Sequence, residues 1–402
     1  MAKILISSIG VGRKQDGGYK KAKYKCEKEV YETSFIADAL NQHYNFDKFF
    51  FIGTKKSIWD EAYITFGGSD KKYHEKLYEQ QDSGQVTASD LEPLEILLKN
   101  DSKTFLIDYG INDEQLWSNF ENFLEIANHI QDGDEIYLDI THSFRSLSLM
   151  SFVMTQFASS ISDKKFKITK VLYGMFEYNN ENNGITPIVD IKILLDIQEW
   201  IKAIDAIKKY SDFDPLVTLL KSEDIEEDVK NAFIQLNNSL KMVNLSALEI
   251  FIKNASKKIK TISNSSNKIV QLLAPEIIKL VEELDKDIKS QFQYSLAKWF
   301  FKNKNYGLSY LALYEAIISK SCELKSYDVE DYNSREEAKR KLGNDKYGQY
   351  FYTKPDNPDF KNSVSNIRNA IAHQSNDRKN YALEDIKRLK QHLKTFEEYI
   401  LI

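Results

Sequence analysis

The sequence has very little cysteine: Cys26 and Cys322 are the only two in 402 residues, and they lie in different halves of the chain. This separation argues against a disulfide framework or a cysteine metal site. No apolar run approaches the roughly 18 residues of a membrane-spanning helix, and the N-terminus leads into a strand-like segment rather than a signal peptide. We therefore expect a cytoplasmic protein without membrane association.

Arginine is also scarce, since only seven of the 55 basic residues are arginine, and the formal net charge is -5. A negative chain has no overall attraction for polyanions, so stable DNA binding is not expected and any RNA chemistry must depend on a local site. An arginine inside a motif is therefore more noticeable here than in most proteins.

The length favours two domains, each able to bury its own core. In residues 1–197, short apolar runs alternate with amphipathic segments, which predicts a Rossmann-like α/β domain with a mostly parallel sheet. A further strand over 185–191 would be antiparallel. The predicted strands are 3–7, 49–52, 104–107, 135–140 and 169–174, and the predicted helices are 33–41, 116–130 and 144–161.

Residues 198–402 show only helical spacing of apolar residues, which predicts a second, all-α domain. Turns between its helices are predicted at Asp214-Pro215, at 264–267, at Ala274-Pro275 and at 354–358. Residues 196–342 carry no motif.

The predicted helix 359–374 carries the main catalytic candidates, Arg368, Asn369 and His373. Asn369 and His373 share a face one turn apart, and Arg368 projects to their side, so all three point away from the helix's own core. A purely solvent-exposed polar face remains the alternative interpretation. The apolar stripe that would face the core consists of Phe360, Val364, Ile367 and Ile371.

These residue types suit RNA cleavage by attack of the RNA's own 2′-hydroxyl on the adjacent phosphate, which needs no metal. Histidine can move protons near neutral pH, arginine can stabilise charge on the phosphoryl oxygens, and asparagine can orient either group. Arg368 and His373 are about 140° apart around the helix, so one copy converges poorly on a single phosphate. Two copies related by a twofold axis would do better.

The segment Arg368-Asn369-Ala370-Ile371-Ala372-His373 resembles the R-x4-6-H motif of the HEPN ribonucleases. The resemblance implies a homodimer, or a larger oligomer, that cleaves single-stranded RNA without metal and leaves a 2′,3′-cyclic phosphate. The competing hypothesis is a non-enzymatic, nucleotide-sensing adaptor whose helical half binds a partner.

The α/β domain carries candidate ligand loops at the carboxyl ends of its strands, where such folds bind ligands. After the first strand come Ser8, Ile9, Gly10 and Gly12, whose glycines would let the backbone approach a phosphate. The pattern is not the full dinucleotide fingerprint G-x-G-x-x-G, because the third glycine is missing. Neither a P-loop nor a metal-ligand cluster is present in the sequence, so no cofactor is indicated.

The strand 135–140 is followed by Thr141, His142, Ser143 and Arg145 at the start of the predicted helix. Thr141 or Ser143 could simply cap that helix, and this structural interpretation stays open. His142 and Arg145 at a positively polarised helix end favour a site for a phosphate or an adenine edge.

The run Asp139 to Arg145, DITHSFR, resembles the Asp-Ile-Thr-His-Gly-Phe-Arg motif of CARF domains in type III CRISPR effectors, with Ser143 in place of glycine. Tyr109 and Gly110 follow another strand end that resembles the family. In this family a CARF domain precedes a HEPN domain. The resemblance implies activation by a cyclic oligoadenylate, most often cyclic tetra-adenylate, and leaves open a slow cleavage of that activator by the α/β half.

Overall fold

The structure of the protein is a computed structural model. Contacts between residues divide the chain into two units, Met1–Leu195 and Asp196–Ile402. The structure describes residues 1–12, 14–15, 18–98, 100–142, 145–161, 164–344, 348, 351, 360–373 and 382–400.

The first unit contains the strands β1 (Lys3–Ile9), β2 (Lys14–Gln15), β3 (Gly18–Tyr19), β4 (Ala22–Cys26), β5 (Glu29–Thr33), β6 (Lys48–Gly53), β7 (Lys103–Leu106), β8 (Glu135–Asp139), β9 (Lys167–Gly174) and β10 (Ile185–Asp190). Eight of them form one sheet in the order β5-β4-β10-β9-β8-β1-β6-β7, and β2 and β3 form a short hairpin. Five of the seven pairs in the large sheet are parallel. The predicted mostly parallel sheet is therefore confirmed.

Helices cover both faces of this sheet because the strand residues alternate between two cores. Leu5 and Phe51 pack on one face, and Ile6 and Phe50 pack on the other. The helices are α1 (Ile36–Tyr44), α2 (Trp59–Thr65), α3 (Lys71–Ser83), α4 (Ala88–Leu98), α5 (Asp113–Asn128) and α6 (Arg145–Ile161), and a 3-10 helix follows at Phe176–Glu181.

The second unit is helical, as predicted, and no strand occurs in the part of it that the structure describes. Its centre is α13, which packs against α12, α14 and α15 and is buried along most of its length. The helices are α7 (Ile193–Tyr210), α8 (Asp214–Lys221), α9 (Glu227–Lys241), α10 (Leu245–Lys258), α11 (Lys268–Leu284), α12 (Lys289–Lys302), α13 (Tyr306–Leu324), α14 (Tyr332–Lys341), α15 (Val364–His373) and α16 (Ala382–Ile400).

Two local predictions were wrong. The turn predicted at Ala274-Pro275 lies inside α11. Pro275 is on the exposed side of that helix, where water can reach the carbonyl group that proline leaves unbonded, while the buried face on both sides of Pro275 holds the helix together. The helix predicted to start at Thr33 starts at Ile36, because Thr33 ends β5 and pairs with Ala22.

Among the described residues, no helix has the length and apolarity that a membrane crossing requires.

Candidate functional site

A cavity of about 430 Å³ opens in the first unit at the carboxyl ends of β1, β6 and β8. Parallel neighbours place these strand ends at one edge of the sheet, which is where α/β folds bind ligands. The loop after β6 contributes Thr54 and Ser57 to the wall. Six of the predicted ligand residues line this cavity: Ser8, Ile9, Gly10, Gly12, Thr141 and His142.

A buried carboxylate fixes the turn below this cavity. Asp139 is fully buried and lies opposite Ser7 in the register of β1 and β8. Its Oδ2 accepts a hydrogen bond from Ser7 Oγ at 2.6 Å, and its Oδ1 accepts from Thr141 N at 3.0 Å and from Thr141 Oγ1 at 2.6 Å. Burial raises the pKa of Asp139, whereas these donors favour its charged form.

The Thr141 hydroxyl is used within the protein rather than left for a ligand. It donates to Asp139 and accepts a hydrogen bond from the backbone N–H of Gly174 at 2.8 Å. The interpretation of Thr141 as the cap of α6 is therefore wrong, because its hydroxyl ties the end of β8 to the end of β9. Ser143, the other candidate cap, lies outside the described residues.

His142 offers the cavity an uncharged polar ring. Its Nε2 lies 3.0 Å from the hydroxyl of Tyr24, and Phe176 contacts the ring edge-on with 6.3 Å between centroids. Burial lowers the pKa of His142 below its ordinary value, so the imidazole is neutral at pH 7 and can donate through one nitrogen and accept through the other.

The glycine loop is held close to the other walls of the cavity. The carbonyl of Gly10 accepts a hydrogen bond from Ile58 N at 3.0 Å, and Ser57 Oγ donates to the carbonyl of Ile9 at 2.7 Å. Gly12 has a φ of 67°, and a Cβ there would lie 2.8 Å from Ile58 and 2.9 Å from Tyr19. Both the backbone conformation and the space at Gly12 require glycine.

Two other predicted ligand residues, Tyr109 and Gly110, are placed differently. Tyr109 and Gly110 follow β7, the edge strand two positions from β1, and neither lines the cavity. The N–H of Gly110 donates to Gln115 Oε1 at 3.0 Å, which ties this strand end to α5. Arg145 begins α6, but its side chain lies outside the described residues.

In the second unit, α15 carries the catalytic candidates. The guanidinium of Arg368 lies 4.8 Å above the centre of the Tyr314 ring, and its Nη1 donates to Asn369 Oδ1 at 3.1 Å. Asn369 and His373 are exposed. A cavity of about 600 Å³ is lined by Arg368 but, among the described residues, by neither of the other two, so the three side chains do not share this cavity.

The apolar stripe of α15 is shorter than predicted. Val364 and Ile367 are buried, but Ile371 is 39% exposed, close to Gly307 at the start of α13. The prediction that Ile371 faces the core of its own chain was therefore wrong. Glu315, on α13, forms an ion pair with Arg335 at 2.5 Å and lines the same cavity as Arg368.

Comparison with known proteins finds matches to both units of the chain. Residues 4–181 match the family model of the CARF domain of the CRISPR system endoribonuclease Csx1, and residues 196–291 match the second domain of the CRISPR-associated protein MJ1674. The chain is thus similar to CARF-containing, CRISPR-associated proteins. It is 30% identical over 408 residues to the CRISPR-associated protein MJ1674 of Methanocaldococcus jannaschii.

That alignment includes 93% of this chain and 62% of the relative, so the chain spans less than two thirds of the length of the curated relative it matches. A solved structure of Enterococcus italicus Csm6, bound to cyclic hexa-2'-fluoro-hexa-dAMP, aligns over 98% of this chain and 93% of that chain. The two are 13% identical, with a TM-score of 0.39.

The cavity of about 430 Å³ in the sheet unit is called the CARF cavity below. Sequence reasoning missed several of its residues. Tyr24 comes from β4, a strand that was not predicted, and Ser57 follows β6 in a stretch with no prediction. Asp139 was noticed only as part of a motif, although its place opposite Ser7 makes it the centre of the hydrogen-bond network. The alternation of Ala22, Tyr24 and Cys26 with lysines was the available signal for β4.

A lysine-rich groove of about 690 Å³ in the helical unit was also missed. Its lysines come from α12, from α16 and from the segment between α11 and α12, so they are far apart in the sequence and show no run of positive charge. Five lysines and two glutamates line it: Lys286, Lys298, Lys302, Lys390, Lys394, Glu283 and Glu397.

Proposed function

We propose that this chain is an endoribonuclease that a cyclic oligoadenylate activates by binding to the CARF cavity. In this proposal residues 1–197 sense the ligand and residues 198–402 form a HEPN domain that cleaves single-stranded RNA. The observation that carries the proposal is the arrangement on α15, where Asn369 and His373 are exposed beside an Arg368 guanidinium held on Tyr314. A CARF domain precedes this helix in the same chain.

The CARF cavity has the chemistry that a cyclic oligoadenylate requires. Gly10 and Gly12 bring backbone close to the cavity, and Lys20 supplies a positive charge at its wall. The Nε2 of His142 contacts the Tyr24 hydroxyl, so Nδ1 is the ring nitrogen that can form a hydrogen bond with an adenine edge, without the cost of burying a charge. These residues would bind and orient the ring, while Asp139 fixes the turn that carries His142.

A second copy of the chain is part of the proposal. Trp117 on α5 and Leu149 on α6 are each 66% exposed, and Val153 and Phe157 on the same face of α6 are also exposed. An apolar surface of this kind is typical of a protein–protein interface. A dimer through the CARF domains would also supply two copies of α15.

The RNA cleavage reaction proposed for the residues of α15 needs no metal ion. The 2′-oxygen of the RNA attacks the adjacent phosphorus, the bond from phosphorus to the 5′-oxygen breaks, and the products are a 2′,3′-cyclic phosphate and a 5′-hydroxyl. His373 moves the proton, Arg368 stabilises the charge on the phosphoryl oxygens, and Asn369 orients the phosphate or the imidazole.

The lysine-rich groove supports RNA as the substrate, since a chain with net charge -5 needs a local basic surface to hold a polyanion. Lys298 pairs with Glu397 at 2.6 Å. Lys302, Lys390 and Lys394 have no ion pair with any described residue and can contact phosphates.

The test is RNA cleavage by the wild type, His373→Ala and Arg368→Ala, each with cyclic oligoadenylates of four and six adenosines. Removing either side chain should slow cleavage by about 100-fold or more. Folding should be unaffected by His373→Ala because His373 is exposed. Undiminished cleavage by His373→Ala would contradict this mechanism, and a wild type that binds the ring without cleaving RNA would favour the adaptor hypothesis.

A further inference from the structure

The cavity of about 600 Å³ beside Arg368 is an open depression bordered by several elements of the helical unit. The turn between α9 and α10 forms one side, and α12, α13 and α14 form the others. Arg368 reaches its wall from α15. The cavity is therefore next to the proposed reacting phosphate, but it is separate from the exposed face that carries His373.

Two buried polar groups in its wall have no partner. Gln293 is only 3% exposed, and its Oε1 accepts no hydrogen bond. The Nε of Arg368 is also buried and makes no hydrogen bond. Leaving such groups unpaired in the interior is unfavourable, and native proteins rarely do so. Gln293 and Arg368 both line this cavity, so one unpaired acceptor and one unpaired donor belong to residues of the same wall.

The charges around the cavity already satisfy one another. Arg335 pairs with Glu315 at 2.5 Å, and Lys289 lies 3.4 Å from Glu249 and also pairs with Glu330. The polar groups of the wall that remain without a partner are therefore one neutral amide and one guanidinium N–H. At the rim, Met242 is 79% exposed and Val243 is 36% exposed, which offers apolar surface to a flat ring.

We propose that this cavity receives one nucleobase of the RNA strand, the base next to the phosphate that Arg368 contacts. A primary amide presents a donor beside an acceptor, and proteins use this pair to recognise the edges of bases. Gln293 would read the base edge, while Met242 and Val243 contact its face. Gln293 thereby makes the nuclease selective for the base at that position. This inference rests on the proposed function, because it takes RNA as the ligand.

The test measures binding, so that it does not depend on cleavage. Fluorescence polarisation of labelled six-nucleotide homopolymers of A, C and U is measured with the full-length His373→Ala chain and with the same chain carrying Gln293→Leu. Leucine has nearly the shape of the glutamine stem and removes an unpaired amide, so the melting temperature should stay equal or rise. We expect the Kd values to differ at least fivefold among the three oligonucleotides, and Gln293→Leu to reduce that spread to within twofold.

Gln235→Leu is the matched control, because Gln235 is exposed on α9 and lines neither this cavity nor the lysine-rich groove. It should leave the spread among the oligonucleotides unchanged. Equal affinities for the three oligonucleotides, a spread that survives Gln293→Leu, or no measurable binding would each overturn the base pocket. Base-selective binding together with a wild type that never cleaves RNA would instead uphold the pocket and reject the proposed ribonuclease function.

Discussion

The CARF cavity and the α15 surface differ in how their polar groups are held. In the cavity, Asp139 is fully buried and accepts three hydrogen bonds, and His142 contacts Tyr24. On α15, Asn369 and His373 are exposed, and Arg368 is held mainly by the Tyr314 ring. One site is assembled within a single chain, and at the other, Arg368 contacts Asn369 while His373 is exposed.

This contrast indicates where regulation can act. A preassembled cavity can bind a ligand without rearrangement, whereas an incomplete catalytic surface can be completed by a partner. In our proposal the ligand changes how two copies of α15 meet and leaves the side chains within each copy as they are. The predictions below test this contrast, beginning with the largest expected effect.

Removing the buried carboxylate should damage the CARF domain far more than any change on α15. Asp139→Ala leaves the Ser7 hydroxyl and the Thr141 N–H without an acceptor, which should cost about 3 kcal/mol of stability and abolish binding of the cyclic oligoadenylate. Asn369→Ala, at an exposed position, should change stability by less than about 0.5 kcal/mol. Calorimetric unfolding and ligand titration check both variants.

Asp139→Asn is the matched control for that experiment. It keeps the shape and one acceptor oxygen, and the Ser7 hydroxyl can rotate to accept from the new amide. Most of the stability should return. If Asp139→Ala unfolds like the wild type, the buried network does not hold the cavity together.

Closing the cavity at Gly12 should weaken ligand binding without touching α15. Gly12→Ala combines an unfavourable φ with close contacts to Ile58 and Tyr19, a cost of about 2 kcal/mol or an affinity loss of more than about tenfold. Gly133 has a similar φ of 81°, but a Cβ there meets nothing within 4 Å. Gly133→Ala should therefore introduce the unfavourable φ without any close contact, and its affinity for the cyclic oligoadenylate should equal that of the wild type. Equal loss of affinity in both variants would mean that the cavity wall is not involved.

The platform under Arg368 should have a smaller effect. Tyr314→Leu removes the aromatic ring below the guanidinium, an interaction of about 1 kcal/mol, so cleavage should slow by about fivefold. Tyr314→Phe keeps the ring and should cleave like the wild type. An equal rate for Tyr314→Leu and the wild type would show that the ring does not position Arg368.

The smallest expected effect is on the pH dependence of the stability of the CARF domain. His142 determines its sign. Burial lowers the pKa of His142 in the folded CARF domain, while the unfolded chain has the ordinary value of about 6.5. The unfolded state therefore binds more protons as the pH falls below about 6.5, and stability that is complete above this pH is lost below it. Burial raises the pKa of Asp139, which acts in the opposite direction at lower pH.

The melting temperature of the CARF domain should thus fall between pH 7.5 and 5.5, and His142→Gln should reduce that fall. Burial also lowers the pKa of His392 in the helical unit. His392→Gln is therefore the control, since it should leave the CARF transition unchanged. The same fall in His142→Gln as in the wild type would exclude His142 as its cause.

The sequence predicted the parallel core of the fold well because β1, β6 and β8 contain continuous apolar runs, typical of strands buried on both faces. Strands at and near the β5 end of the sheet gave weaker signals. In β4, lysines alternate with Ala22, Tyr24 and Cys26, and this five-residue pattern was overlooked. Pro275 predicted a turn, but the packed face of α11 outweighed its local effect.

The candidate sites show the same limit. The motif around Thr141 identified the strand end that lines the cavity, but only the register of β1 and β8 places Ser7 against Asp139. Similarly, the spacing on α15 gave the outward direction of His373, whereas the contact of Arg368 with Tyr314 depends on how α13 and α15 pack. Interactions between distant segments could not be read from local patterns.

The most direct test of the composite active site mixes two inactive chains. Arg368→Ala and His373→Ala are purified separately, mixed so that subunits exchange, and assayed for RNA cleavage with the cyclic oligoadenylate. If the two groups act from different chains, each mixed dimer has one complete pair, and cleavage should rise clearly above that of either variant alone. If the mixture stays as inactive as its components although exchange is shown by mass spectrometry, the site does not combine Arg368 of one chain with His373 of another.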